Sequence, residues 1–419
     1  MAVLRVRYEE DTPPSYRLYK VDQRSGRFAR FEPYAVRYSV PKRWRHGLTA
    51  NDIRTFRFEP DRGALDDLRE RLDRVRWPDE VPGVGWEYGV PLARMKDLVA
   101  RWRTGYDWDG ALAELNAHDQ YVTRIDGQDI HFLHVRSPRE DALPLLITHG
   151  WPSSPVEYLD VIEPLARDFH LVIPSLPGYG LSGPTTETGW GSTRIAKAWL
   201  ELMTRLGHER FGVQGGDWGT WISREVGVLA PERVAGMHGN GIICFPIGVP
   251  GELDGLSEVE QERMAFRERY LTGQYGYKLI QSARPQTFAY GMADSPVALL
   301  AWFASVYHEW SDEPVPDDRL LTTVMLYWLT NTAGSAARSF VETPDTEQDT
   351  SVEWELKPAT VPTSVSVFPK DILRPIRRFA ERDNTIVGWV EHERGGTFAA
   401  LEQPAAYVED VRAFFATLR

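Results

Sequence analysis

The sequence predicts an α/β fold built on a mostly parallel central sheet, and three observations carry that prediction. A short apolar run, Arg210-Phe211-Gly212-Val213, leads into Gln214-Gly215-Gly216-Asp217-Trp218-Gly219, and residues 220–229 then show helical spacing of apolar side chains. Strand, glycine-flanked turn and helix in that order are the pattern of a nucleophile elbow. Further strand-length apolar runs recur with room for a helix between them, as parallel strands require. Finally, residues 242–349 carry helical patterning and no strand signal, over a length too great for a loop.

Taken in order, the elements divide the chain into five segments. In residues 1–50, Tyr16–Val21 and Arg27–Phe31 alternate apolar and polar positions around Asp22-Gln23-Arg24-Ser25-Gly26, the pattern of a β-hairpin. Residues 51–120 form an N-terminal extension in which 64–105 read as helices, with Trp77 and Trp86 expected to clamp it across the back and edge of the main domain. Residues 121–241 begin with a meander, Val122–Ile125 and Ile130–Val135. Core strands follow at Pro144–Thr148, His170–Pro174, Arg210–Gln214 and Val234–His238. Residues 242–349 are expected to be a helical cap inserted after the sixth strand. Residues 350–419 resume the core with Thr363–Phe368 and Thr385–Val390, and Gln403–Leu418 closes it as a helix.

Composition excludes several function classes. A chain of 419 residues is long enough for a sizeable core. It shows no apolar run of transmembrane length and no signal-peptide pattern at Met1–Arg7, so no membrane partner is expected. One cysteine, Cys244, rules out internal disulfides and any cysteine-based metal site, and a cytoplasmic setting is expected. Net charge is −12, yet residues 1–50 carry a net +6. That basic arm is short and lacks a nucleic-acid recognition motif. It is expected to pack on the acidic body or on a neighbouring subunit, which leaves room for a homodimer.

The elbow places a carboxylate, Asp217, where most such turns carry serine. Its flanking glycines are needed because the central residue adopts strained φ/ψ and its neighbours must pass closely. An aspartate nucleophile forms an alkyl ester, which suits attack on a strained or activated carbon. His149-Gly150-Trp151-Pro152 follows the strand that ends at Thr148, where an oxyanion loop belongs. The backbone N–H groups of Trp151 and Trp218 are then the oxyanion donors.

Near the C-terminus, Arg394-Gly395-Gly396-Thr397-Phe398-Ala399-Ala400 resembles the Gly-Gly-His-Phe-Ala-Ala segment of the microsomal-type epoxide hydrolases, α/β-hydrolases with an N-terminal extension and a helical cap. The resemblance implies an aspartate nucleophile at Asp217 and an acid partner at Asp371, in Phe368-Pro369-Lys370-Asp371. It implies one cap tyrosine at Tyr277, in Gly276-Tyr277-Lys278-Leu279-Ile280-Gln281, to protonate the epoxide oxygen. It also exposes two departures. Thr397 stands in the histidine slot, and Phe340 stands where the second cap tyrosine belongs. Asp371 equally suits the cap of a helix starting at Ile372. No metal and no cofactor are implied.

His149, Trp302, Tyr307, His308 and Phe340 are expected to line the substrate pocket. With 15 tryptophans in the chain, an aromatic wall suits a small hydrophobic or polycyclic aromatic substrate. Threonine cannot serve as the water-activating base near neutrality, so the second half of hydrolysis is expected to fail. Three readings stay open. The first and favoured one is a cofactor-free, non-hydrolytic enzyme of natural-product biosynthesis, with Asp217 as base or nucleophile for rearrangement, cyclisation or C–C bond formation. The second is a hydrolase with a rerouted base, such as His308 or a solvent-fed Asp371. The third is an inactive binding protein for a small metabolite. His392, on or at the end of the last strand, lies outside the loop that would face Asp217.

Overall fold

The apolar runs that mark strands in the sequence join into one large sheet, and a second small sheet lies in the N-terminal segment. The protein is represented by a computed structural model, which describes residues 4–6, 18–21, 28–30, 52–343 and 357–418. Met1–Gly47 and Leu48–Arg419 form separate units. In the first, β1 (Leu4–Val6), β2 (Leu18–Val21) and β3 (Phe28–Arg30) make an antiparallel sheet in which Val21 faces Phe28 and Leu4 faces Lys20. The β2–β3 pairing is the hairpin that alternation predicts, and β1 is a third strand that it does not. The turn 22–26 and Tyr16 lie outside the described residues.

In the second unit, β4 (Ile53–Phe56), β5 (Gln120–Ile125) and β6 (Gln128–Val135) are antiparallel. They are followed by β7 (Leu143–Thr148), β8 (Phe169–Pro174), β9 (Phe211–Gly216), β10 (Val234–Asn240), β11 (Ala359–Val367) and β12 (Asn384–Glu391). The spatial order is β12-β11-β10-β9-β7-β8-β6-β5-β4, parallel from β8 to β12 and antiparallel between β6 and β8. This is the mostly parallel sheet of an α/β-hydrolase fold.

Its central strands are buried on both faces, which is why they read as continuous apolar runs. Along β7, Leu146 packs into one core, while Leu145 and Ile147, on the opposite face, pack into another. All three are fully buried, each stabilising the fold by about 1.5–3 kcal/mol. Helices Ser192–Arg205 and Trp218–Leu229 cover the first face, and Leu159–Ala166 and Pro404–Ala416 cover the second. Between β10 and β11 the described residues form helices and no strand.

The extension departs from expectation. Only Arg62–Asp73 and Leu92–Thr104 are regular α-helices within 64–105. Pro78, Pro82 and Pro91, together with the positive-φ residues Gly83, Gly85 and Gly89, break the segment between them. Strand β4 does join the sheet edge, but the helices grip the cap rather than the back of the sheet. Arg101 makes a two-pronged ion pair with Asp318 at 2.7 and 2.8 Å, and Arg94 pairs with Asp317. Trp102 Nε1 donates to Met325 Sδ at 3.1 Å, and Trp86 stacks on His308 with ring centroids 3.5 Å apart. Trp77 stays 36% exposed and meets Lys96 of the extension's own helix, so of the two expected clamps only Trp86 reaches outside the extension, to the cap.

What positions the site is the crossing of β9, its turn and the helix after it. A Cβ on Gly219 would fall 1.8 Å from the Thr148 carbonyl oxygen, and one on Gly215 would fall 2.2 Å from the backbone of Gly219. Backbone touches backbone there, and no rotamer can relieve a clash. Gly219→Ala is therefore expected to destabilise the protein by about 3 kcal/mol or more, read by chemical denaturation. Gly291→Ala, at an open position inside helix Pro285–Asp294, should be neutral or stabilising by up to about 1 kcal/mol. Equal losses at the two positions would refute the close-packing account.

Candidate active site

Asp217 occupies the turn at φ 51° and ψ −127°, a conformation an L-residue keeps only when its surroundings over-determine it. The surroundings are backbone amides. Trp151 N–H donates to Asp217 Oδ1 at 2.7 Å, and Trp218 N–H is the second backbone donor. The two groups expected as oxyanion donors thus hold the carboxylate itself, and would hold the carbonyl oxygen of any ester formed on it. Burial pushes the Asp217 carboxyl up to about 6 against the pull of those two amides. Gly150 is required here as well, because a Cβ on it would fall 2.2 Å from Asp217 Oδ1.

Tyr277 faces the same pocket. Its ring lies parallel to Trp151, with centroids 5.3 Å apart and an interplanar angle of 3°, and its hydroxyl bonds the Tyr270 hydroxyl at 2.6 Å. Burial drives the Tyr277 pKa well above the ordinary phenol value, so the group holds its proton and can donate it. Phe340 sits edge-on to Trp151 and Trp218 at 5.4 and 5.2 Å, filling the place with a ring that has no proton to give.

Beneath the pocket wall, Asp371 and Thr397 close on each other. Thr397 Oγ1 donates to Asp371 Oδ1 at 3.0 Å, Leu373 N–H donates to the same oxygen at 3.0 Å, and Thr397 Oγ1 accepts from Ile372 N–H at 3.3 Å. Asp371 is 1% and Thr397 3% exposed. Burial pushes Asp371 up to about 7 against the pull of the Leu373 amide, the Thr397 hydroxyl and the Arg374 charge. The expected helix at Ile372 is not formed: the next helix starts at Arg377, and Asp371 organises a bend rather than a cap.

The remaining expected pocket residues lie elsewhere. His149 is fully buried, bonding the Gly150 carbonyl through Nδ1 at 2.8 Å and accepting Leu176 N–H at Nε2 at 3.1 Å. It shapes the oxyanion loop and does not line the pocket, and burial lowers its pKa to about 4. Trp302 packs on Phe288 at 4.8 Å. Tyr307 stacks on Phe398 at 4.2 Å and donates to the Pro152 carbonyl at 3.3 Å. His308 is exposed, and with Tyr307 lines a second cleft beside Trp86. Helix Pro296–Trp310 turns all three away from Asp217. His392 binds Asp410 at 2.6 Å and stacks on Phe368.

Sequence reasoning missed Tyr270, Arg267 and Arg374 in the pocket wall, and the buried Glu157, which accepts from Ser153 Oγ at 2.5 Å. Tyr270 precedes Tyr277 by two helical turns, an i, i+7 spacing that signals a shared face. A π-helical turn, Tyr270–Gln274, re-aims that register so that the hydroxyls meet. No comparable signal marks Glu157. Among the described residues no group of three or more His, Cys, Asp or Glu could hold a metal, and no helix is long and apolar enough to cross a membrane.

Two family descriptions match the chain, "Epoxide hydrolase N terminus" over residues 53–158 and "alpha/beta hydrolase fold" over residues 144–298. A Stigmatella aurantiaca protein named, by inference, as an epoxide hydrolase is 41% identical over 385 residues, covering 88% of this chain and 86% of its own. Epoxide hydrolase 1 of Sus scrofa is 32% identical over 406 residues, covering 87% and 89%. Among solved structures, the Aspergillus niger epoxide hydrolase aligns with a TM-score of 0.80 at 30% identity, over 88% of this chain and 97% of its own.

The buried carboxyls make stability depend on pH in a testable way. The folded pKa of Asp371, about 7, lies above its unfolded value of about 3.9, so the folded state binds the extra proton and stability falls as pH rises between the two. Asp371→Asn is expected to stabilise the protein by about 2 kcal/mol at pH 8, with the gain vanishing toward pH 4. The residual slope belongs to Asp217 and to Glu157, which burial pushes up to about 8. Destabilisation of Asp371→Asn at pH 8, measured by denaturant titration, would mean an ionised and well-paired carboxylate instead.

Proposed function

The chain belongs to the epoxide hydrolase family, and from that membership we propose that it opens an epoxide without hydrolysing it, carrying the substrate to a cyclised or rearranged product without a cofactor. The observation that carries this reading is the hydrogen bond from Thr397 to Asp371. Where a histidine base would activate water, a threonine hydroxyl is engaged with the carboxyl that would orient that base. Loss of such a base slows ester hydrolysis by about 10²–10⁴-fold or more. The first half of the chemistry keeps Asp217 and Tyr277, with Phe340 in place of a second acid.

In the proposed reaction the substrate carries its own nucleophile, a hydroxyl or an acidic C–H. Asp217 takes that proton, the freed electron pair attacks an epoxide carbon, and the C–O bond breaks. The Tyr277 hydroxyl protonates the departing oxygen. As the product leaves, Asp217 loses to solvent the proton it took, and the hydrogen-bonded Tyr270–Tyr277 pair regains one from solvent, so the net proton change is zero. The net change is an isomerisation, balanced without water, oxidant or reductant. A carboxyl with a pKa near 6 suits the base role near neutrality. A variant of the same outcome has Asp217 attack first, with the substrate's nucleophile then displacing the ester. The aromatic lining, including Trp218, Trp221, Phe266 and Phe340, supports a bulky apolar substrate.

The reading with a rerouted base is weakened by the positions of His308 and His392, since no histidine lines the pocket that holds Asp217 among the described residues. The reading as an inactive binding protein parts from ours at Asp217. Asp217→Asn should lower turnover of an epoxide with a pendant hydroxyl by at least about 10³-fold while leaving its affinity within about threefold. Unchanged turnover would remove the elbow from the mechanism.

Styrene oxide, which has no internal nucleophile, should yield no diol above background. A mass increase of one substrate at Asp217 would show attack by the carboxylate, and diol formation that survives in Thr397→Ala would instead favour a rerouted base. Thr397→His should restore some diol, and more when combined with Phe340→Tyr, because groups that act together are non-additive. Tyr270→Phe should slow ring opening about tenfold, the worth of one hydrogen bond to the acid. No change there would confine Tyr270 to packing.

A further inference from the structure

The wall of the Asp217 pocket is unevenly charged. Arg263, Arg267, Lys278 and Arg374 line it, and among the described residues Asp217 is the only acidic one that does. The chain as a whole has a net charge of −12, so four cations around one cavity run against its general balance. Glu391 pairs with Arg263 at 3.0 Å and offsets that cation, and Asp371, bonded to Thr397, acts on Arg374. Glu262 pairs with Arg269 at 2.6 Å, while no ion pair engages Arg267 among the described residues.

Two of the guanidinium groups are held as if for a ligand. Arg374 lies 3.4 Å over the ring of Phe266, with its Nε donating to the Asp371 carbonyl at 2.9 Å. Arg267 lies 5.4 Å over Phe245, and its buried Nε has no hydrogen-bond partner. Stacking on a ring fixes the plane of a guanidinium and leaves its N–H edge for an in-plane acceptor. A buried donor without a partner is rare and costly unless something supplies the acceptor. A carboxylate or phosphate offers two oxygens in the geometry that such an edge matches.

We infer that the mouth of the Asp217 pocket anchors an oxyanion, a carboxylate or phosphate at the end of an apolar or aromatic substrate, through Arg267 and Arg374. The inference rests on this pocket being the substrate pocket, as proposed above, and deepens that reading by naming the substrate's charge. The anchor would hold the polar end at the mouth and leave the apolar body against Trp218 and Phe340, beside Asp217.

The test uses the full chain and ligands without an epoxide, so that binding is separated from ring opening. Calorimetric affinities are compared for 2-naphthylacetate, 2-naphthyl phosphate and the neutral 2-naphthylacetamide. The better of the two anions should bind at least about tenfold tighter than the amide, and which one it is names the head group. The preference should shrink as salt rises, and fall to within about twofold in Arg267→Gln and in Arg374→Gln. Arg267→Gln serves as the safer variant, because Arg374 also supports the Asp371 bend. A melting curve matched to wild type confirms that each variant folds. Equal or absent binding of anions and amide by wild type overturns the inference, as does a preference that neither substitution alters. A clear preference in a protein that opens no epoxide would keep the anchor and discard the proposed reaction.

Discussion

A carboxylate held on a left-handed turn by two backbone amides is the constraint on which the rest of the structure depends. Asp217 at φ 51° is tolerable only because β9 and the following helix are fixed, and they are fixed by contacts that leave no room for a side chain at Gly215 or Gly219. The oxyanion loop must then approach to 2.7 Å, which Gly150 permits and which His149 secures by bonding to the loop and to Leu176. Each of these demands is backbone on backbone. The sheet beneath, with β7 and β9 adjacent, is the platform that brings the two loops together.

Around that constraint the carboxyls are buried, and the charges of Lys278 and Arg374 only partly oppose the effect of burial on Asp217 and Asp371. Asp217, Asp371 and Glu157 all have carboxyl pKa values raised by burial, to about 6, 7 and 8, and among the described residues no histidine lines the Asp217 pocket. A histidine at 397 would have formed an ion pair with Asp371 when protonated. Threonine instead supplies a hydroxyl that satisfies one oxygen and leaves the carboxyl close to neutral. The substitution therefore removes a base and also removes the reason for Asp371 to be ionised. Both consequences are ones the proposed non-hydrolytic reaction accommodates.

The cap completes the site by aromatic packing, with Tyr307 and Tyr327 also donating to the Pro152 and Ser153 carbonyls. Trp151, Tyr277, Phe340 and Trp310 form a mutually edge-on and parallel cluster above the elbow, with Trp151 at its centre. The extension holds the cap from outside through Arg94, Arg101 and Trp102 on helix Asp317–Thr330. Partly exposed ion pairs contribute little each, typically below about 1 kcal/mol, so Trp102 and the apolar contacts beside it dominate that attachment. Trp86, stacked on His308, belongs to the same grip.

The elements readable from sequence were those whose signal is local. Apolar runs buried on both faces marked β7 to β11, Gly215-Gly216-Asp217-Trp218-Gly219 marked the elbow, and a helical pattern without strands marked residues 242–349. Thr397 and Phe340 were also visible, because an absent imidazole or hydroxyl is a statement about residue type at a known place. What sequence could not supply was direction. Tyr307, His308 and Trp302 share one helix with core residues, and only its packing decided that they face Phe398, Trp86 and Phe288 rather than Asp217. Tyr270 met Tyr277 through a π-helical turn that spacing alone does not foretell. The cations Arg267 and Arg374 are more than a hundred residues apart, and no local pattern links them to one cavity. Residue type and local periodicity determined the fold class and the chemistry available to Asp217. Side-chain orientation, burial and long-range proximity arise from packing, and the tertiary structure alone decided which groups share its pocket.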